Sequence, residues 1–288
     1  MIALLIPSFH GGKKLLTALR SVMDQRNAFD RIFISINGDE IHDLSLLQLE
    51  GLERNTRVTI FQTKTCLPLH MHLASCVGKM AAMLGNQDYL FVLCHDDVWT
   101  GKTEWDWVVK ECKEKNGWAC FPYWSLVNDQ GQGIREKSFF QGIKPPEEAI
   151  FSSIDQEGTY TNLSGIGVPF AAWKSYGKWC SIKKSAARTE LMLASHRVIS
   201  NLVHVPGLKI QVEVSPHSDG ASLSQKQIAW DEIIFYAWLL CNGRVVRWKN
   251  WKTSVRKVWS DSKYLFKLYC PSLYHLLSLK KRNRQETL

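Results

Sequence analysis

Tyr89-Leu90-Phe91-Val92-Leu93-Cys94-His95-Asp96-Asp97 is the stretch on which the reading of the fold turns. An unbroken apolar run closed by polar residues reads as a short strand buried on both faces. The two adjacent carboxylates at its end are costly unless something positive shares their site. Working outward, Ile2–Ile6 is a second such run, ending at Pro7-Ser8-Phe9-His10-Gly11-Gly12, and helical spacing follows through Leu15, Leu16, Leu19, Val22 and Met23. Arg31–Ile36 predicts a strand stopped by Asn37-Gly38-Asp39, Leu44–Leu52 a short helix, Val58–Phe61 a strand, and His70–Leu84 a helix ending at Gly85-Asn86. Short apolar strands alternating with helices argue for a mostly parallel sheet covered on both faces, with ligands bound beyond the carboxyl ends of the strands. That points to Pro7–Gly12, Asn37–Glu40 and His95–Asp97 as the segments where chemistry belongs.

After residue 100 the rhythm changes. Trp105–Lys115 predicts a helix, Ala119–Val127 a strand, and Asn128-Asp129-Gln130-Gly131 a turn. Residues 128–165 are rich in Gly, Pro and Ser and read as long loops, and Thr159–Phe170 as a glycine-punctuated connection. Ala187–Leu202 predicts a long helix, Lys209–Val214 a strand, and Gln227–Cys241 a helix closed by Asn242-Gly243.

The chain has 288 residues, 45% hydrophobic and 22% charged, which excludes wholesale disorder and fibrous classes and suits one large or two small domains. Met1 leads straight into Ile2–Ile6 with no basic segment before it, so that run is expected to be a core strand rather than a signal peptide. No stretch approaches a membrane span. The eight cysteines form no CxxC pair, and reduced thiols in the cytoplasm are the expectation. The formal charge of +9 is unevenly placed: residues 247–284 carry +10 and the remainder −1. This basic tail interleaves Trp248, Trp251, Trp259, Tyr264, Phe266, Tyr269 and Tyr274 with Lys and Arg. Such a mixture suits the headgroup layer of an anionic membrane, could stack on single-stranded nucleic acid, or could form a helical pair packed on the domain.

Three further constellations could carry chemistry. Arg188-Thr189-Glu190 opens a helix; Glu190 is either a favourable first-turn carboxylate or a general base, with Arg188 orienting it or meeting a phosphate. His217-Ser218-Asp219-Gly220 closes a strand, and His217 is a metal ligand or a surface turn residue. Asp231-Glu232 is a second acidic pair, catalytic or capping. At the first site, Asp97 suits a divalent cation that holds phosphates, with Asp96 or His95 contacting sugar or metal.

With these residues in place, the chain resembles a family 2, inverting glycosyltransferase of the GT-A fold over roughly residues 2–220. Leu5-Ile6-Pro7-Ser8-Phe9-His10 resembles that family's opening strand and its continuation, and Leu15–Gln25 the helix that follows. Cys94-His95-Asp96-Asp97 occupies the place of the metal-binding Asp-x-Asp, whose first acid falls here on Cys94 or His95. Thr161–Phe170 sits where the acceptor-facing segment belongs, Thr189-Glu190 where a Glu-Asp catalytic motif is expected, and His217 in the histidine segment after it. Asn37 or Asp39 stands in for the paired aspartates that hold the nucleoside.

The resemblance implies a Rossmann-like, mostly parallel central sheet with flanking helices in residues 1–246, a nucleotide-binding half over about 1–100 and an acceptor half over about 101–246, plus a C-terminal helical tail over 247–288. It assigns donor binding to Pro7, Ser8, Phe9, Asn37, Asp39, Asp96 and Arg188, the cation (Mn²⁺ or Mg²⁺) to Asp97, His95 and His217, and catalysis to Glu190, with Asp231 and Glu232 as the alternative base. The implied donor is a nucleotide sugar, a UDP-sugar first among them. The implied acceptor is a lipid-linked oligosaccharide or saccharide in bacterial surface polysaccharide synthesis, of the lipopolysaccharide O-antigen or capsule type. The tail would rest on the anionic inner face of the plasma membrane, and nucleic acid is not expected as a partner. Rival readings are a nucleic-acid-binding protein using the tail, a catalytically inactive GT-A-like binding protein, and another nucleotidyl-transfer enzyme on a related sheet.

Overall fold

The computed structural model of the chain describes residues 1–23, 25, 28–39, 41–100, 105–114, 117–128, 130–137, 140, 142–155, 162–214, 224–241 and 248–269. His217, with the rest of 215–223, and residues 270–288 of the tail lie outside the described residues. The elements run β1 (Ile2–Ser8), α1 (Gly12–Met23), β2 (Arg31–Ile36), α2 (Ile41–Leu49), β3 (Val58–Gln62), α3 (Leu69–Met80), β4 (Tyr89–Val92), β5 (Val98–Trp99), α4 (Trp105–Glu114) and β6 (Trp118–Val127). There follow β7 (Gly133–Lys137), β8 (Ile143–Lys144), α5 (Pro146–Asp155), β9 (Gly167–Pro169), α6 (Phe170–Trp179), α7 (Thr189–Ala194), β10 (Asn201–Glu213), α8 (Gln225–Cys241) and α9 (Trp248–Tyr269).

The strands form one sheet in the order β3-β2-β1-β4-β9-β6-β10-β5, with β7 paired to β6 and β8 to β10. β1 lies parallel to both β2 and β4, and β2 parallel to β3. All seven residues of β1 are buried, which is why they read as a continuous apolar run. α1 covers the sheet through Leu15, Ala18, Leu19 and Val22, a stripe at helical spacing, and α3 through Leu73, Cys76, Val77 and Met80. Four parallel strands therefore end on one edge, and their following loops meet there.

The second half is built differently. β9 is a three-residue strand, antiparallel to β4 through Phe91↔Gly167 and to β6 through Cys120↔Gly167, and it joins the first four strands to the β6–β10 pair. β6 and β10 run parallel, with a register shift between His204 and Lys209 that absorbs Pro206 and Gly207. Residues 128–165, expected as loops, hold β7, β8 and α5. The helix expected over Ala187–Leu202 is α7 alone. Ser195 and His196 are drawn into tertiary bonds, Trp238 Nε1 donating to Ser195 Oγ (2.8 Å) and His196 Nε2 paired with Ser175 Oγ (2.8 Å). The chain turns there and β10 begins at Asn201 rather than Lys209. α9 packs along α8, with Ser254 and Leu265 buried and Val258 against the core.

Candidate active site

The loop after β1 is tied down by a residue that nothing in its local sequence announces. The Asp43 carboxylate, on α2 and buried, accepts from Ser8 Oγ (2.8 Å), Gly11 N (3.0 Å) and Gly12 N (2.7 Å). It satisfies orphan donors at the start of α1 that a local cap would otherwise take. Gly11 has no room for a side chain: a Cβ there would strike Ser8 Oγ and lie 3.2 Å from His95 Cδ2. The loops after β1 and β4 therefore touch. Phe9 is 42% exposed beside this contact, with its ring 4.0 Å from that of His10, while Pro7 is buried within β1.

Asn37, at the end of β2, is committed to the neighbouring loop. Its Nδ2 donates to Leu67 O (2.6 Å), and its Oδ1 accepts from Leu67 N (2.9 Å) and Thr63 Oγ1 (3.2 Å). Asp39 is exposed at the tip of the same turn. Residues 63–68 thus hang from Asn37 and deliver His70 to the first turn of α3.

Beyond β4, one donor atom each from Cys94, Asp96 and Asp97 falls within 4.8 Å of the others, in an arrangement able to hold a cation. The third donor is the Cys94 sulfur; the His95 ring instead lies against Gly11. Asp97 is 2% exposed. Its Oδ2 accepts from Ser164 Oγ, and its Oδ1 is buried with no hydrogen-bond partner. Burial pushes the Asp97 carboxyl well above the usual range; the Asp96 and Glu213 charges push the same way, against the Ser164 hydroxyl and the Glu213 backbone N–H. Crowded carboxylates with an orphaned buried oxygen are the surroundings a divalent cation relieves, so these residues fit one. Ser164, within the segment read as acceptor-facing, also accepts from Cys94 N (2.9 Å), and its own carbonyl accepts from Trp124 Nε1 (2.9 Å). A cleft of about 240 Å³ opens beside Asp96, bounded by Lys13, Lys14, Gln211 and Glu213. Lys14 Nζ and Glu213 pair across it at 2.6 Å.

A second polar cluster is held by α8. Asp231, 1% exposed, accepts from Lys184 N (3.0 Å) and from Ser185 Oγ. Arg188 Nε pairs with Glu232 Oε1 at 2.7 Å, and Arg188 adopts a left-handed backbone (φ 62°), rare for a residue with a side chain. Lys183 is buried and donates to Ala187 O (2.6 Å); burial lowers its pKa, while Asp231, Glu190 and Glu232 resist that shift. Glu190 follows in the first turn of α7, 7% exposed. His70 reaches this cluster from α3: burial lowers its pKa, Asp231 opposes the shift, and its Nδ1 is buried without a partner. The structure thus groups Arg188, Glu190, Asp231 and Glu232 around Lys183, and Ser8, His95, Asp96 and Asp97 around the β1 and β4 loops. Asp43, Ser164 and Lys183 are the members that sequence reasoning missed. Of these only Ser164 had a signal, its place in the glycine-punctuated segment.

Sheet order, flanking helices and strand-end acids define the GT-A fold, a mixed α/β architecture with a central, mostly parallel sheet. No family model matches the chain, and no curated protein matches it by sequence. Among solved structures, S. aureus TarS residues 1–349 is similar at TM-score 0.60 and 11% identity over 93% of this chain and 73% of that one. The mannosyltransferase PcManGT from Pyrobaculum calidifontis, in complex with GDP-Man and Mn²⁺, is similar at 0.53 and 9% identity over 98% of this chain and 79% of that one. GalNAc-T7 with UDP, GalNAc and Mn²⁺ is similar at 0.51 and 12% identity, covering 82% of this chain and 50% of that one. At these identities the likeness is one of fold.

Proposed function

We propose that the protein is a cation-assisted, inverting glycosyltransferase of the family 2 type, transferring a sugar from a nucleotide-sugar donor to a saccharide or lipid-linked acceptor in bacterial surface polysaccharide synthesis. The observation that carries this reading is the buried, unpartnered Asp97 Oδ1 among Cys94, Asp96 and Asp97, where the parallel strands end. The nucleotide complexes of TarS (with UDP), GalNAc-T7 (UDP) and PcManGT (GDP-Man) support a nucleotide sugar, with UDP first.

In this reading Phe9 offers its exposed ring to the base, and the turn at Asn37–Asp39 borders the nucleoside. Asp96 and Asp97 would hold a divalent cation, which would supply positive charge to the diphosphate leaving group. Glu190 takes the proton from an acceptor hydroxyl, whose oxygen bonds to the anomeric carbon as the bond to the diphosphate oxygen breaks on the opposite face. Asp231 and Glu232 hold the 184–188 loop and so position Glu190 rather than acting as the base. His217 remains proposed as a further contact to metal or diphosphate.

No described helix is long and apolar enough to cross a membrane. The outer face of α9 instead presents Lys252, Val255, Arg256 and Trp259 together, with Lys263 Nζ 5.0 Å from the centre of the Trp259 ring. This face supports attachment to an anionic membrane surface on the cytoplasmic side. Flotation with vesicles of anionic and of neutral lipid tests it: retention by the anionic vesicles alone is expected, and retention by oligonucleotides instead, falling steeply with salt, overturns it.

Titration with UDP-, GDP-, CMP- and dTDP-sugars, with and without Mn²⁺, tests the main reading. One donor is expected to bind, more tightly with Mn²⁺, and failure of all four to bind overturns it.

A further inference from the structure

We propose that the cation site takes a sulfur ligand, the Cys94 thiolate, and therefore prefers thiophilic divalent cations of the Zn²⁺ and Co²⁺ type over Mg²⁺. The inference rests on the reading of Cys94, Asp96 and Asp97 as a cation site, and concerns what this chain places where the Asp-x-Asp pattern has its first acid. Three observations carry it. The Cys94 sulfur, not a nitrogen of His95, is grouped with the two carboxylates within 4.8 Å. Bonds of about 2.3 Å to sulfur and about 2.1 Å to oxygen at a tetrahedral angle place the two ligand atoms about 3.6 Å apart, so side-chain rotations moving them by about 1 Å close the set.

The second observation is support. Ser164 Oγ accepts from Cys94 N and donates to Asp97 Oδ2, so one hydroxyl fixes the backbone of the sulfur ligand and the orientation of the carboxylate. Trp124 Nε1, donating to Ser164 O at 2.9 Å, anchors that hydroxyl's segment to β6. Ligands held this way are pre-oriented, as the outer groups of metal sites usually arrange. The third is the remaining oxygen: with Oδ2 taken by Ser164, Asp97 Oδ1 is buried with no partner within hydrogen-bond geometry, only the Glu213 backbone N–H acting on the carboxyl.

Sulfur changes the chemistry of the set. Two carboxylates alone suit hard cations such as Mg²⁺, whereas a thiolate favours Zn²⁺ and its neighbours. On binding, the S–H bond breaks, a sulfur–metal bond forms, and the proton passes to solvent.

Cobalt(II) titration of the full chain, reduced and free of nucleotide sugar, tests this by absorption. A thiolate-to-cobalt charge-transfer band saturating at one equivalent is expected, displaced by Zn²⁺ but not by equal Mg²⁺. Cys94→Ser, near-isosteric with the native residue, should abolish the band with an unchanged circular dichroism spectrum, while Cys66→Ser, at an exposed cysteine outside the cluster, should keep it. Cys94→Asp should still bind cations without the band and lose the preference for Zn²⁺ over Mg²⁺ that the thiolate confers. Absence of the band in the native chain, its survival in Cys94→Ser, or an unchanged preference in Cys94→Asp overturns the proposal. Because the band is read without donor, such a failure leaves the donor titration to judge the glycosyltransferase reading separately.

Discussion

The two edges of the molecule are fixed by different means. On the side where the donor is proposed to bind, β1, β2, β3 and β4 pair in parallel, and the following loops hang from backbone ladders and short side-chain anchors such as Asn37 and Asp43. On the other side lies the 183–190 segment, which leads into α7. It is held by pairs reaching more than forty residues along the chain, Asp231 with Ser185 and Glu232 with Arg188. The first arrangement is rigid by construction. The second is rigid only while its charges stay paired, which would suit the admission of the proposed acceptor.

The largest test of this contrast is Glu190→Gln. It should lower kcat by roughly 10²–10⁴, while donor affinity, which belongs to the other edge, stays unchanged by calorimetry. An equal loss of donor binding would break the division.

Gly167→Ala strikes the junction itself, since a Cβ there would enter the Phe91 ring. A destabilisation of about 2 kcal/mol is expected in urea unfolding, from overpacking between strands that cannot separate.

Acid should weaken both halves. Burial holds His72, on α3, and His204, in β10, at about 4. Both are neutral in the fold while the unfolded chain takes up protons near pH 6.5, so stability is full above that value and falls as pH drops toward 4. Each should cost about 1 kcal/mol by pH 5.5. Unfolding curves of His72→Gln and His204→Gln should each show a shallower dependence, and an unchanged slope in either would remove that histidine from the account.

The smallest expected change in stability comes from Glu232→Gln. Arg188 is partly solvated in its pair, so unfolding should shift by no more than about 1 kcal/mol. Turnover should nonetheless fall severalfold with donor affinity intact, because the loop that presents Glu190 loses an anchor.

The same contrast explains what could be read in advance. Arg31–Ile36 coincides with β2, Val58–Phe61 misses β3 by a single residue at the far end, and Trp105–Lys115 matches α4 through Glu114, Lys115 lying outside the described residues. There the apolar run and the turn residue after it are local signals of local structure. Ala187–Leu202 has a helical pattern for its whole length, but the bonds from Trp238 and Ser175 that end α7 lie on other helices. β10 runs through Pro206-Gly207 because β6 tolerates a bulge, a property of the partner strand. Likewise Asp96 and Asp97 stand out as a pair, whereas Asp43 and Ser164 matter only through residues 31–35 and 67–70 positions away.

Gly167 pairs with Phe91 on one side and Cys120 on the other, so one residue without a side chain stands between the two halves of the sheet. A slip of one residue at this join would displace one edge against the other by about 3.3 Å. Reacting atoms must approach within about 3.5 Å, and a misplacement of about 1 Å already costs on the order of a hundredfold in rate. In the proposed reaction strand β9 would therefore work as a gauge block, its register setting the gap across which donor and acceptor meet.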